Sequence, residues 1–225
     1  MSVQDILAKN GSRKLVSVDG GGIRGVLTLE VLLNLESTFQ QLLGADDNFV
    51  LADFFDYVAG TSTGAIIATC LALGMRVKAI RELYHNAARK MFDRNHGLTR
   101  FRSKYASTHL TRLPHDEIGF DATLGSDHLK TLLLLVMRNA TTDSLWPVSN
   151  NSRAKFNASE SEACNLRFPL WELVRASTAA PSYLPPEVVD VGGKQFVFVD
   201  GGVTVYNNPA FQLFLMATIE PYRLC

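Results

Sequence analysis

The chain has 225 residues, 47% of them hydrophobic and 20% charged, with 22 Lys and Arg balanced by 22 Asp and Glu for a formal net charge of +0. That length supports one sizeable core, the apolar fraction excludes disorder as the main state, and the balanced charge argues against a general nucleic-acid binder, which carries a basic excess. Three widely spaced cysteines, Cys70, Cys164 and Cys225, exclude a disulfide scaffold and a cysteine zinc site, and fit a reducing compartment.

Residues 1–13 are polar and mixed in charge, have no apolar h-region, and read as an N-terminal extension. Lys14–Asp19 is a short β-rich run that stops at three glycines. Val26 to Leu43 then carries apolar residues at Val26, Leu29, Leu32, Leu33, Leu35 and Phe39, which is helical spacing, and Gly44 ends it. Phe54–Ala59 reads as a second buried strand ending at Gly60. Ala65–Gly74 comes next as a small-residue helix and Val77–Met91 as a helix with one charged face. Residues 89–127 change character and read as a loop or lid-like insertion. From Arg89 to His115 the cations Arg89, Lys90, Arg94, Arg100, Arg102, Lys104 and Arg112 face a single acid, Asp93, with Phe92, Phe101, Tyr105 and Leu110 interleaved. Leu129–Arg138 is a strand or a buried helix, which periodicity cannot separate. Phe168–Ala176 reads as helical, and Pro181, Pro185 and Pro186 break the stretch after it. Gln195–Val199 is a last strand before Gly201 and Gly202, and Val205–Thr218 begins as a turn and becomes helical near Pro209. The apolar stretches Ala65–Met75 and Leu132–Met137 fall short of the ~20 residues needed to cross a bilayer. The expectation is a soluble, cytoplasmic protein.

Two strand–glycine turn–helix units in the first 75 residues imply a parallel α/β sheet, and in such sheets functional groups collect at the carboxyl ends of strands. Three glycine turns lie at such ends. Gly60-Thr61-Ser62-Thr63-Gly64 is a G-x-S-x-G between a strand and a helix, the setting of a nucleophile elbow; the plainer reading is a serine capping an ordinary helix. Asp19-Gly20-Gly21-Gly22-Ile23-Arg24-Gly25 can aim successive backbone N–H groups into one concavity, an oxyanion hole for acyl transfer. Its Gly20-x-Gly22-x-x-Gly25 spacing also fits a dinucleotide loop. That reading is poor, because the window that should hold the acid at a second strand end is helix and then Ala45-Asp46-Asp47-Asn48. Arg24 could orient a phosphate or pair with a surface carboxylate. Asp200-Gly201-Gly202 places an acid at a strand end, although Asp is also a common turn former. All five histidines (His85, His96, His109, His115, His128) precede Asp200, so a triad in the order Ser62, Asp200, His cannot be built. Either another acid serves, or Asp200 is itself the base.

In this order, DGGGIRG (Asp19–Gly25), GTSTG (Gly60–Gly64) and DGG (Asp200–Gly202) resemble the patatin-like phospholipases, as does RASTAAPSYLPP (Arg175–Pro186) ahead of the acidic strand. The resemblance spans roughly residues 14–215. It implies a three-layer α/β/α sandwich with a mainly parallel central sheet, a catalytic domain over 14–225 that ends short of the family pattern, and hydrolysis of lipid acyl esters by a Ser–Asp dyad. Ser62 then matches the nucleophile and Asp200 the general base. Gly20, Gly21 and Gly22 match the oxyanion hole, Arg24 the arginine that shapes this loop, and Gly25, Gly60, Gly64, Gly201 and Gly202 the supporting turns. No metal or cofactor is expected. The substrate would be a phospholipid or related lipid, with peripheral membrane contact through the Arg89–His115 segment. The alternatives are a carboxylesterase, thioesterase or transacylase on the same dyad, or a non-catalytic nucleotide-binding or scaffold protein. Leu132–Met137, Trp146 and Trp171 read as core before acyl pocket, and Cys70 as a small packing residue.

Overall fold

A computed structural model describes residues 2–92, 122–158, 160–220 and 222–224. Six strands form one sheet: β1 (Leu15–Val18), β2 (Tyr57–Thr61), β3 (Leu132–Asn139), β4 (Ser144–Ser149), β5 (Glu187–Val191) and β6 (Lys194–Asp200). β1, β2 and β3 are parallel, as the strand–turn–helix units predict, whereas β4 and β6 run antiparallel to β3, and β5 antiparallel to β6. The long apolar run is thus a strand. Its residues fill both faces of the sheet: Leu133, Leu135 and Met137 belong to one core cluster, and Leu132 and Leu134 to the other. Burial on both faces is why it reads as a continuous apolar run without alternation.

Helices cover both faces. On one side α2 (Gly25–Leu43), α3 (Thr63–Ala72), α4 (Val77–Phe92) and α5 (Leu170–Ser177) bury Leu29, Leu32, Ile67, Leu71, Ile80 and Leu173 against the sheet. On the other, α6 (Ala210–Thr218) contributes Leu213 and Met216, and α1 (Val3–Ala8) contributes Ile6 and Leu7. α1 therefore lies within the stretch read as an extension, and a capping box at Ser2 and Asp5 starts it. Lys9 pairs with the buried Asp56 at 2.8 Å and ties α1 to the start of β2. α2 ends at Gly44 in the left-handed conformation, as its glycine suggests. Pro209 stands one position ahead of α6.

Two strands escape the sequence pattern. β4 contains Pro147, which lacks a ladder donor and argues against a strand, and β5 follows directly on the prolines. Trp146 packs on Phe196 and Phe198, and Cys70 is buried in α3, so both serve the core. The basic segment falls largely outside the described residues. No described helix is long and apolar enough to cross a membrane.

The ladder on β3 sets up the site. β4 pairs along Leu134–Asn139 and occupies one edge of β3. β2 pairs up to Val136 and β6 from Met137 onward, so these two share the other edge, end to end. Because Leu134 is fully buried between Ala59 and Ser149, Leu134→Ala is expected to lower the free energy of unfolding by about 2–5 kcal/mol in urea denaturation. A loss under about 1 kcal/mol would contradict this packing.

Candidate active site

Ser62 lies between the last residue of β2 and the first of α3, with φ 55 and ψ −128. A non-glycine residue in this region is strained by about 1–3 kcal/mol and persists only where its surroundings over-determine it. They do so here through close packing. A Cβ on Gly64 would sit 2.3 Å from the Val18 carbonyl oxygen, so the first turn of α3 rests directly on the end of β1. The Ser62 carbonyl accepts the Ala65 N–H at 2.8 Å and starts the helix. The hydroxyl stands half-buried at the positive end of α3.

Asp200 ends β6 on the rung beside that of Thr61, since Thr61 faces Val136 and Asp200 faces Met137. Ser62 Oγ donates to Asp200 Oδ2 at 2.7 Å, and the Gly202 N–H donates to Oδ1 at 2.6 Å. Asp200 is only 5% exposed. Burial pushes its pKa above the ordinary value, against the opposing pull of the hydrogen bonds from Ser62 and Gly202. Gly201 permits this junction: a Cβ there would lie 2.3 Å from the Val136 carbonyl oxygen and 2.9 Å from Thr61 Cγ2.

The glycine loop comes next to the serine. A Cβ on Gly20 would be 3.0 Å from Ser62 Cβ. The Gly20 N–H donates to the Asn207 carbonyl at 3.0 Å, and Asn207 Nδ2 donates to the Gly20 carbonyl, also at 3.0 Å. The Gly20 amide is therefore committed to the scaffold, which removes it from the three expected oxyanion donors. Gly21 N–H makes a long 3.3 Å bond to Thr63 Oγ1. Gly22 opens the short helical turn Gly22–Arg24, where the first N–H has no partner within the turn. The Gly22 carbonyl accepts from the hydroxyl of Tyr84 on α4, which is packed against Gly25. Burial raises the pKa of that phenol and keeps it a donor. Arg24 closes the turn through its backbone, its N–H donating to the Gly21 carbonyl at 3.2 Å, while its side chain is exposed.

Four anchoring roles escape a reading of the sequence: those of Asn207 and Tyr84, and, inside motifs already singled out, those of Thr61, whose hydroxyl donates to the Tyr206 carbonyl at 2.8 Å, and Ser177, which binds the Ser62 amide. The run Tyr206-Asn207-Asn208-Pro209 is the one sequence signal for Asn207. His85 and His128 are exposed, and His96, His109 and His115 lie outside the described residues. Among the described residues no cluster of three His, Cys, Asp or Glu could hold a metal ion. The arrangement is a serine hydroxyl bonded to a carboxylate, beside a loop whose Gly21 N–H holds only a long bond and whose Gly22 N–H has no partner within its turn.

Residues 16–214 match the family model described as patatin-like phospholipase. The chain belongs to the patatin-like phospholipase family. It is 30% identical over 230 residues to the intracellular phospholipase A2 of Caenorhabditis elegans, covering 99% of this chain and 19% of that protein. It is 32% identical over 219 residues to patatin-like protein 2 of Arabidopsis thaliana, covering 87% of this chain and 50% of the relative. The crystal structure of VipD from Legionella pneumophila shares the fold, with a TM-score of 0.53 at 16% identity over 86% of this chain and 46% of that one. The chain thus spans half or less of the length of these relatives. The patatin-like match contains all three glycine turns, and the three-layer architecture with parallel central strands agrees with it. In this patatin-like sheet Gly201→Ala is expected to wedge β6 away from Val136 and lower stability by about 1–3 kcal/mol, read as a drop in Tm. An unchanged Tm would show that the junction tolerates a side chain.

Proposed function

We propose that the chain is a serine lipid acyl hydrolase of the phospholipase A type, with Ser62 as nucleophile and Asp200 as general base. The observation that carries this reading is the 2.7 Å hydrogen bond from Ser62 Oγ to Asp200 Oδ2, made by a serine held at positive φ on a strand-to-helix turn. In the first step Asp200 takes the hydroxyl proton as Ser62 Oγ attacks the ester carbonyl carbon. The carbonyl π electrons move to oxygen, and that oxyanion is met by the N–H groups of Gly21 and Gly22, each worth about 2.7–4 kcal/mol in comparable sites. The intermediate collapses, the ester C–O bond breaks, and the leaving alcohol takes the proton from Asp200. A water then gives its proton to Asp200 and attacks the acyl-enzyme. Ser62 leaves as the free acid forms and recovers its proton from Asp200.

Two observations favour a lipid. Ile23 within the glycine loop, Leu27 just past it, and Val203 and Val205 just past Asp200 are exposed apolar side chains on the segments that flank Ser62. The nematode relative is named an intracellular phospholipase A2. An intracellular location with peripheral membrane contact goes with the same reading.

Ser62→Ala and Asp200→Asn are each expected to cut ester hydrolysis on the order of 10⁴-fold or more with the fold intact by circular dichroism. Full turnover by folded Ser62→Ala would refute the nucleophile. Short p-nitrophenyl esters, phospholipids and acyl-CoA, assayed side by side, separate a phospholipase from an esterase, thioesterase or transacylase. The pH profile is set by Asp200: protonation at low pH removes the acceptor, so activity falls as pH falls. Because burial raises this pKa, the midpoint of the acid limb of kcat/KM should lie above 3.8, the carboxyl's ordinary value. An acid limb at or below that value would assign the titration to another group.

A further inference from the structure

Ser177 is the last residue of α5 and is fully buried. A hydroxyl at a helix end usually bonds back to the preceding turn, as the neighbouring Thr178 does to the Val174 carbonyl at 2.9 Å. The Ser177 hydroxyl instead leaves its helix. It donates to the Val136 carbonyl at 2.6 Å and accepts the Ser62 N–H at 3.0 Å. Val136 is the β3 residue opposite Thr61, so this one oxygen joins the backbone of the serine turn to the strand that both β2 and β6 flank.

The next residues of the same segment hold the acid. The Asp200 N–H donates to the Ala179 carbonyl at 3.0 Å. Residues 177–179 therefore receive the backbone amides of both Ser62 and Asp200. The segment is itself tethered: Arg175 is 2% exposed, donates from Nη2 to the Pro185 carbonyl at 3.1 Å, and lies 3.5 Å from Glu187.

We infer that Ser177 is a positioning residue for the reaction, whose hydroxyl fixes the Thr61–Ser62 peptide plane and so aims Ser62 Oγ at both Asp200 and the glycine loop. Packing alone would accept an alanine at this site. Removing the oxygen leaves the Ser62 N–H and the Val136 carbonyl without their shared partner, and frees the strained turn to relax. A shift of an ångström in a reacting atom is enough to slow a reaction strongly while leaving binding of the lipid unchanged.

The inference rests on Ser62 being the nucleophile. The test measures the rate of labelling by a fluorophosphonate, together with kcat and KM on one ester substrate and Tm. Ser177→Ala is expected to lower the labelling rate and kcat by about 10- to 100-fold with KM within about twofold. Ser177→Thr, which restores the oxygen, should stay close to the parent. Folded Ser177→Ala that is labelled at the parental rate overturns the inference, as does Ser177→Thr that is as slow as Ser177→Ala. Should Ser177→Ala fail to fold, Ser177→Cys takes its place. Its weaker hydrogen-bonding sulfur should slow labelling in a folded chain, and parental labelling would again overturn the inference. A parent chain that does not label at all would instead bring down the Ser62 reading, and this inference with it.

Discussion

The site depends on two strands ending against each other on one edge of β3. β2 arrives parallel and stops with Thr61 opposite Val136, and β6 arrives antiparallel and stops with Asp200 opposite Met137. Ser62 and Asp200, 138 residues apart in sequence, thereby come to adjacent strand ends, and a 2.7 Å hydrogen bond closes the gap. The register that permits this is set elsewhere. Phe198 is buried in the core opposite Asn139, and a slip of β6 by one residue would turn it to the other face and carry Asp200 off its rung. Apolar packing two residues away thus specifies which rung the polar contact occupies.

That contact has a cost in the resting protein. Ser62 holds an unfavourable backbone conformation, and Asp200 is taken almost wholly out of water. Hydrogen bonds to a charged group contribute about 1.5–3 kcal/mol each, and Asp200 receives two. They oppose the desolvation without cancelling it, since the carboxyl still ends above its ordinary pKa. A carboxylate left more basic than usual is a better proton acceptor, which suits the general-base role proposed for Asp200. The strain at Ser62 is held by contacts that do not touch the hydroxyl: Gly64 against β1, Thr61 against the Tyr206 carbonyl, and the Ser62 amide on Ser177.

Much of this is legible in the sequence because glycine turns are punctuation with a physical reason. Each of the three turns marks a point where the backbone must bend sharply or pass close to another chain segment, and each stands at a strand end. Parallel pairing of β1 and β2 brings the first two turns together, and the antiparallel β6, ending against β2 on the edge of β3, brings in the third. The hidden parts are those that lack periodicity. β4 is masked by Pro147, β5 by the prolines before it, and α1 by its brevity and polar flanks, although Ile6 and Leu7 are buried. Ser177 is hidden for a different reason. A serine at the end of a helix is ordinary, and only the three-dimensional path of β3 reveals that its hydroxyl serves two other segments.

The glycine loop carries the same logic into the oxyanion donors proposed above. Sequence alone makes Gly20, Gly21 and Gly22 equivalent, since any of their amides could face an anion. The structure divides the work. Gly20 is the anchor, with its N–H and carbonyl both bonded to Asn207 and no room for a side chain between Asn207 and Ser62. Because that peptide is fixed, Gly21 and Gly22 can be left with a weak partner or none among the described residues without the loop collapsing onto the serine. Tyr84 then fixes the loop from α4 by holding the Gly22 carbonyl. In the proposed reaction, donors held in place before charge develops would need no reorganisation, which is where such sites gain most of their rate. The loop's shape is therefore made during folding, by Asn207 on one flank and Tyr84 on the other, and the proposed role of its amides requires neither residue to touch a substrate.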